Sequence, residues 1–376
     1  MTQNKSRRSN IELLRIAAML GIIIYHITYH AVLGQLGTGE YFRFPVYYHK
    51  LSLLVLLAPL GMTGNAVFML ISGYFMCSKS RLAGEKIDLG KTSAKLLTQT
   101  GFAVLMLIVA SFAEYHAMPD RPVGMIDARE FNDNFWFVGY YFAVILAGAL
   151  FLNDFFDRLD KREYAAFLLA LFAVLSFDFT GKLADGLASG LRIILTGTLM
   201  YSLGGYIRRY EPFKPLRAYV FVLAIALAFA VMLISNYNMT AANIQSYKSS
   251  GSEDFFKHSI LIYSNHSALA LIIALAAFEL FRRISIRESR LISFLGRSTL
   301  MVYLVHDNAF FRGFWREVEW IRLLHDAPMS FALKLAECVG IVFACGVCAY
   351  ALYLALAAAL KKLVPLMYKK EAHTGR

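Results

Sequence analysis

Apolar stretches of roughly 20 residues, the length that crosses a hydrocarbon core, follow one another from one end of this chain to the other, with short polar clusters between them. They predict about ten helical spans, at about 11–33, 52–76, 95–114, 135–153, 164–179, 190–207, 218–236, 259–281, 293–311 and 331–360. The gap between the fifth and sixth, Asp178 to Gly186, is short and polar. The last run is about 30 residues long, so it must tilt or protrude. No stretch is long and polar enough to fold as a separate soluble domain, and no internal repeat is visible by eye. A single membrane-embedded domain over residues 1–376 is expected.

Composition agrees with that pattern. Of 376 residues 58% are hydrophobic and 17% charged, with a mean hydropathy of +0.52. A soluble chain of this length needs far more polar surface. The net charge of +12 would point to nucleic acid in a soluble protein. Here the basic residues sit in clusters between apolar runs, as topology signals do, and no nucleic-acid partner is expected. With the N-terminus inside, cytoplasmic segments carry 24 Lys and Arg and outer loops 10. The expected fold is therefore an all-α polytopic bundle, multi-pass in the cell membrane with lipid around it and both termini cytoplasmic.

Lys5, Arg7 and Arg8 before the first apolar stretch imitate a secretory signal. No small-x-small cleavage site follows, and the stretch holds Glu12, Arg15, His26 and His30, so a retained first span is expected. The four cysteines imply no disulfide framework. Cys345 and Cys348 form a C-x-x-C inside the last run, where packing is the plainer role than redox or metal chemistry.

Ionisable groups within spans are costly and mark function by default. Arg15 and His26 are eleven residues apart in the first span, which returns them to nearly one helix face about 16 Å apart along the axis. Glu12, three residues before Arg15, can pair with it, and His30 continues the stripe. Arginine offers a planar donor fork to an anionic group near the inner surface. A deeper histidine suits a general base, since imidazole titrates near neutrality. The plainer readings are an arginine anchoring the interface and a histidine satisfied between helices. His26 and His30 at i, i+4 also have zinc-ligand spacing, but no third ligand accompanies them in sequence, so no metal is expected.

The Arg15-x10-His26 pair, in the frame Asn10-Ile-Glu-Leu-Leu-Arg-Ile, resembles the first-span signature of the acyltransferase-3 family of integral membrane acyltransferases. Further landmarks resembling that family follow in order: Ile71-Ser-Gly-Tyr-Phe-Met76 with Lys79 and Arg81, Phe135-Trp-Phe-Val-Gly-Tyr-Tyr141 closing near Asn153, Leu203-Gly-Gly-Tyr-Ile-Arg208, and Leu295-Gly-Arg-Ser-Thr to His306-Asp307-Asn308. The resemblance covers nearly the whole chain. It implies transfer of an acyl group, usually acetyl, from cytosolic acyl-CoA to a hydroxyl of a cell-envelope glycan or lipid-linked sugar, directly or through an acyl-enzyme. On it, Glu12, Arg15 and His26 stand as candidate catalytic residues. Arg15, Lys79 and Arg81 are candidates for the acyl-CoA (acetyl-CoA) donor. Trp136, Tyr140, His306, Asp307 and Asn308 are candidates for the acceptor, against the plainer readings of an aromatic belt and a satisfied helix end. The sequence carries no esterase-like outer domain after its last span, so the membrane domain is expected to act alone or with a partner. A transporter or flippase for a polysaccharide precursor is the rival reading, with the buried histidines serving proton coupling. A non-catalytic envelope assembly protein is the third.

Overall fold

The computed structural model describes residues 9–36, 48–80, 86–117, 134–176, 188–250, 254–263 and 267–374, with the single positions 82, 84 and 131. Every regular element among them is helical. In chain order the longer ones are α1 (Ser9–Ile27), α2 (Leu60–Met76), α3 (Leu89–Ala117), α4 (Trp136–Ala147), α5 (Lys161–Ser176), α6 (Ala188–Tyr210), α7 (Ala218–Ser250), α8 (Asp254–Leu261), α9 (Ala268–Arg283), α10 (Arg290–His306), α11 (Ala309–Arg316), α12 (Trp320–Asp326) and α13 (Pro328–Thr374). Two carry π turns at one end: α1 continues through Thr28–Val32, and α4 through Gly148–Leu152 into Asn153–Arg158.

Among the described residues six stretches are long and apolar enough to cross a membrane: Ser9–Gln35, Ser52–Met76, Leu89–Ala117, Trp136–Arg158, Ala218–Ala242 and Pro328–Lys362. The other expected spans are helices α5, α6, α9 and α10. The expected eighth span, 259–281, is broken between Leu261 and Ala268, where Ser267 caps α9 through Ala270 N. The expected ninth, 293–311, ends at His306, and Asn308 opens the separate helix α11. Both breaks fall at polar residues whose side chains compete with the helix for backbone hydrogen bonds.

Burial sorts the bundle into an inner and an outer layer. In the most apolar part of Ser52–Met76, 78% of residues are buried, against 17% in Ala218–Ala242. The outer helices expose Leu97, Leu105, Leu169, Leu227, Ile234, Leu333 and Leu356, side chains that suit contact with lipid tails.

The inner layer is held by close backbone approach. A Cβ on Gly73 would overlap the Tyr201 carbonyl oxygen, and one on Gly204 the Leu70 carbonyl, so α2 and α6 cross at glycine on both sides. These glycines lie in the Ser-Gly-Tyr and Leu-Gly-Gly-Tyr landmarks, which thus form one packing seam. Paired contacts also give the helix directions. Gly205 meets Cys77 as Tyr201 meets Gly73, so α2 and α6 are parallel. Ser9 Oγ accepts from Ser289 N at 3.0 Å while His26 reaches Asp307, so α1 and α10 are parallel too. Thr63 bonds to the Ala270 carbonyl and Tyr74 packs on Phe278, so α9 runs with α2. Gly346 meets Val302 and Tyr350 meets Phe294, so α13 opposes α10. These are the directions that a ten-span alternation requires. They gather Ser9, Met76, Leu89, Tyr210, Arg283 and Arg290 at one end, here termed the basic end.

Candidate functional site

At the far end from Ser9, three helix segments converge on one carboxylate. Asp307, buried and directly after α10, lies with Oδ2 3.0 Å from His26 Nδ1 and 3.4 Å from His30 Nε2. Its Oδ1 accepts from Arg312 Nε of α11 at 2.7 Å, and Arg312 Nη2 donates to Asn134 Oδ1 at 2.8 Å. The His26 contact is close but out of line with the ring N–H, an electrostatic pairing rather than an aligned hydrogen bond. The π turn at Thr28–Val32 carries His30, whose ring stacks on His26 with centroids 5.6 Å apart. His306 completes the cluster: its ring stands edge-on to His26 at 4.7 Å and is fully buried. His306 Nδ1 bonds to the Tyr303 carbonyl oxygen, and its Nε2 has no partner among the described residues.

A cavity of about 380 Å³ leads toward this cluster from the basic end. Arg15, Lys79, Lys91, Lys95 and Arg297 line it there, against the single carboxylate Asp88. Further in, Phe68, Phe137, Tyr141, Leu300 and Tyr303 make an apolar and aromatic sleeve. Gly296 and Tyr303, both in the lining, are separated by seven residues of α10, about 10 Å of helix. Tyr303 forms the inner limit next to the histidines: its ring is 5.1 Å from that of His306. Its hydroxyl donates to the Asn134 carbonyl at 2.9 Å and accepts from Phe137 N at 3.2 Å.

Each expected residue has a definite place. Arg15 lines the basic end of the cavity, and its Nη1 donates to Glu12 Oε1 at 3.1 Å. Glu12 is buried against Gly296, where any Cβ would overlap its carboxylate. Glu12 thus positions Arg15 rather than reaching the cavity. Asn10, in the same frame, ties α1 to the end of α9 through the Phe281 carbonyl at 2.9 Å. Lys79 is in the cavity lining, while Arg81 lies outside the described residues. Trp136 is exposed at the start of α4, its ring tilted against that of Tyr140 with centroids 5.7 Å apart. Tyr140 is buried against Gly197 of α6, at a helix contact. Asn308 is spent locally: Oδ1 caps α11 at Phe311 N, and Nδ2 donates to the Val305 carbonyl.

The sequence reading missed several members. Lys91 and Lys95 read from the sequence only as part of the basic charge of a cytoplasmic segment, although their i, i+4 spacing puts both on one face of α3. Arg297 lay in the Gly-Arg-Ser landmark. Asn153 was quoted at a span end. It is buried and donates to the Met76 and Lys79 carbonyls at 3.0 and 2.9 Å, which fixes the chain at Lys79. The third ligand-type group beside His26 and His30, absent from their sequence neighbourhood, is Asp307, brought there by the parallel packing of α1 and α10.

Chemically, one end of the cavity suits a polyanion and its sleeve a neutral chain. The far end offers imidazoles, two of them paired with one carboxylate, the pairing that sets a histidine's tautomer. The comparisons place these features in a family. A family model described as "Acyltransferase domain" matches residues 8–360. No curated protein and no solved structure matches the chain.

Proposed function

The chain belongs to this acyltransferase family and is an acyl-transferring, multi-pass membrane enzyme, and from that premise we propose that it moves an acyl group from cytosolic acyl-CoA to a hydroxyl of a cell-envelope glycan or lipid-linked sugar. The observation that carries this reading is the polarity of the cavity, cationic at the basic end and aromatic toward the histidines. The donor's phosphates meet Arg15, Lys79, Lys91, Lys95 and Arg297, where charge-assisted hydrogen bonds favour them. The long neutral arm follows the Phe68–Phe137–Tyr303 sleeve. The thioester then stands beside His306 and His26, and the acceptor hydroxyl arrives from the opposite end.

The chemistry needs one base. Asp307 beside His26 Nδ1 favours the tautomer with the proton on that nitrogen and leaves the Nε2 lone pair to take the hydroxyl proton. The hydroxyl oxygen bonds to the thioester carbonyl carbon, the carbon–sulfur bond breaks, and the proton on His26 passes to the departing thiolate. An acetyl group is the proposed cargo, and the plasma membrane the proposed site of action. Arg15 supports the donor side of this reading and His26 the acceptor side.

The test is transfer by the purified protein, with acetyl-CoA and an envelope glycan as substrates. CoA should be released in step with ester formation. Lys91→Ala and Arg297→Ala should each raise the donor KM about ten- to hundredfold, the effect of losing one charge-assisted contact, with kcat nearly kept. Uptake of a glycan precursor into vesicles without acyl-CoA consumption would instead support the transporter reading.

A further inference from the structure

Two imidazole nitrogens and one carboxylate oxygen meet beside the proposed base. His26 Nδ1, His30 Nε2 and Asp307 Oδ2 all lie within 4.8 Å of one another, and the carboxylate oxygen is 3.0 and 3.4 Å from the two nitrogens. Ligands about 2.0–2.2 Å from a tetrahedral zinc ion stand about 3.3–3.5 Å apart. The two oxygen–nitrogen spacings therefore need little adjustment, and the two nitrogens, within 4.8 Å of each other, need only close up on the ion. The donor set is two histidines and one carboxylate, which favours zinc-like transition metals over magnesium or calcium, both of which prefer oxygen. Three protein ligands leave a fourth position open.

The surroundings fit as well. Arg312 Nε holds the other Asp307 oxygen at 2.7 Å, so the carboxylate is oriented with Oδ2 toward the histidines. His26 Nδ1 has no aligned hydrogen bond to lose. The His30 ring is stacked on His26 and its position is set by the π turn. Neither histidine is sealed off: their side chains are 18% and 19% exposed, while that of Asp307 is 5% exposed.

We propose that His26, His30 and Asp307 form a binding site for one zinc-class divalent ion, and that its occupation switches acyl transfer off. The switch rests on the proposed role of His26; the binding does not. Coordination through Nδ1 takes the lone pair there and displaces the proton that this nitrogen would carry. The ring's remaining proton then sits on Nε2, where it blocks removal of the hydroxyl proton. Asp307 is drawn to the metal at the same time and no longer supports the base. Removal of the ion restores both.

Purified, metal-stripped protein in detergent should bind one Zn²⁺ per chain by calorimetry, and Co²⁺ should give a visible absorption band that Zn²⁺ displaces. Transfer should fall with the same midpoint as zinc binding and return on adding a chelator. His30 has no part in the proposed transfer step, so His30→Ala should keep the activity of the stripped enzyme and bind zinc at least tenfold more weakly. His30→Gln, with thermal unfolding checked in detergent, separates ligand loss from misfolding and should behave alike. No saturable zinc binding by the wild type, or equal zinc affinity in folded His30→Gln, overturns the site. Binding with undiminished transfer leaves the site standing and overturns the switch. Absence of transfer under all conditions, with one zinc bound, counts against the proposed function and not against the site.

Discussion

His26 has a carboxylate on one nitrogen and a second imidazole edge-on to its ring, so its orientation is set from two sides. If it removes the acceptor proton, His26→Ala should lower kcat by about 10²–10⁴ while donor affinity is nearly kept. His26→Gln should not recover the rate, because glutamine hydrogen-bonds but takes no proton. Single-turnover transfer and CoA binding by folded variants measure the two effects separately. A near-wild-type rate in His26→Gln would make the cluster a polar packing seam. Asp307→Asn keeps the shape but loses the charge that favours the working tautomer, and kcat should fall by about 10² with an unchanged donor KM. At this scale the sequence was partly legible. Arg15 and His26 stood out because ionisable groups in an apolar span are conspicuous. The meeting of His26 with Asp307 was not legible, since residues 281 positions apart in the chain are joined only by packing. Asp307 is an acceptor candidate in the sequence, and in the fold both of its oxygens contact side chains of the protein.

Helices set these side chains through a few close crossings. A Cβ on Gly73 would enter the Tyr201 backbone, which cannot swing away as a side chain does. Gly73→Ala should therefore force α2 and α6 apart and cost about 1–3 kcal/mol, seen as a lower unfolding temperature in detergent. Gly139, also within a helix, has nothing within 4 Å of its would-be Cβ, and Gly139→Ala should leave that temperature unchanged or raise it. Equal behaviour of the two variants would remove the glycine seam as a source of stability. The apolar runs made most helices legible, because length and hydropathy suffice for that. The π turns at Thr28–Val32 and Gly148–Leu152 were not, since nothing in local composition distinguishes them from α-helix. The breaks before Ala268 and after His306 were visible only as polar residues, Ser267 and Asp307-Asn308, inside longer apolar frames.

For the whole molecule, the parallel packing of α1 with α10 and of α2 with α6 fixes which ends lie together, and the loop charges are the argument that the basic end faces the cytoplasm. The cavity mouth with Lys79, Lys91, Lys95 and Arg297 belongs to the basic end, and His26, His30 and Asp307 to the other. On the proposed function, the two substrates then reach the site from opposite sides of the membrane. Reporter fusions at Lys86 and Arg287 should read cytoplasmic, and fusions near Arg121 and Lys248 should read outside. A cytoplasmic signal near Lys248 would break the order of spans at α7. The sidedness of the chemistry can be tested directly in proteoliposomes of known orientation. Acetyl-CoA supplied only at the basic face should acetylate a glycan supplied only at the opposite face, and the reverse arrangement should give no product. Blocking the cavity with a bulky side chain at its aromatic limit, as in Leu300→Trp, should stop that crossing while CoA still binds at the cationic mouth. Product formed equally well with both substrates on either face would mean that the cavity is not the route. The cationic mouth would then be only the topology signal that its lysines and arginines first resembled.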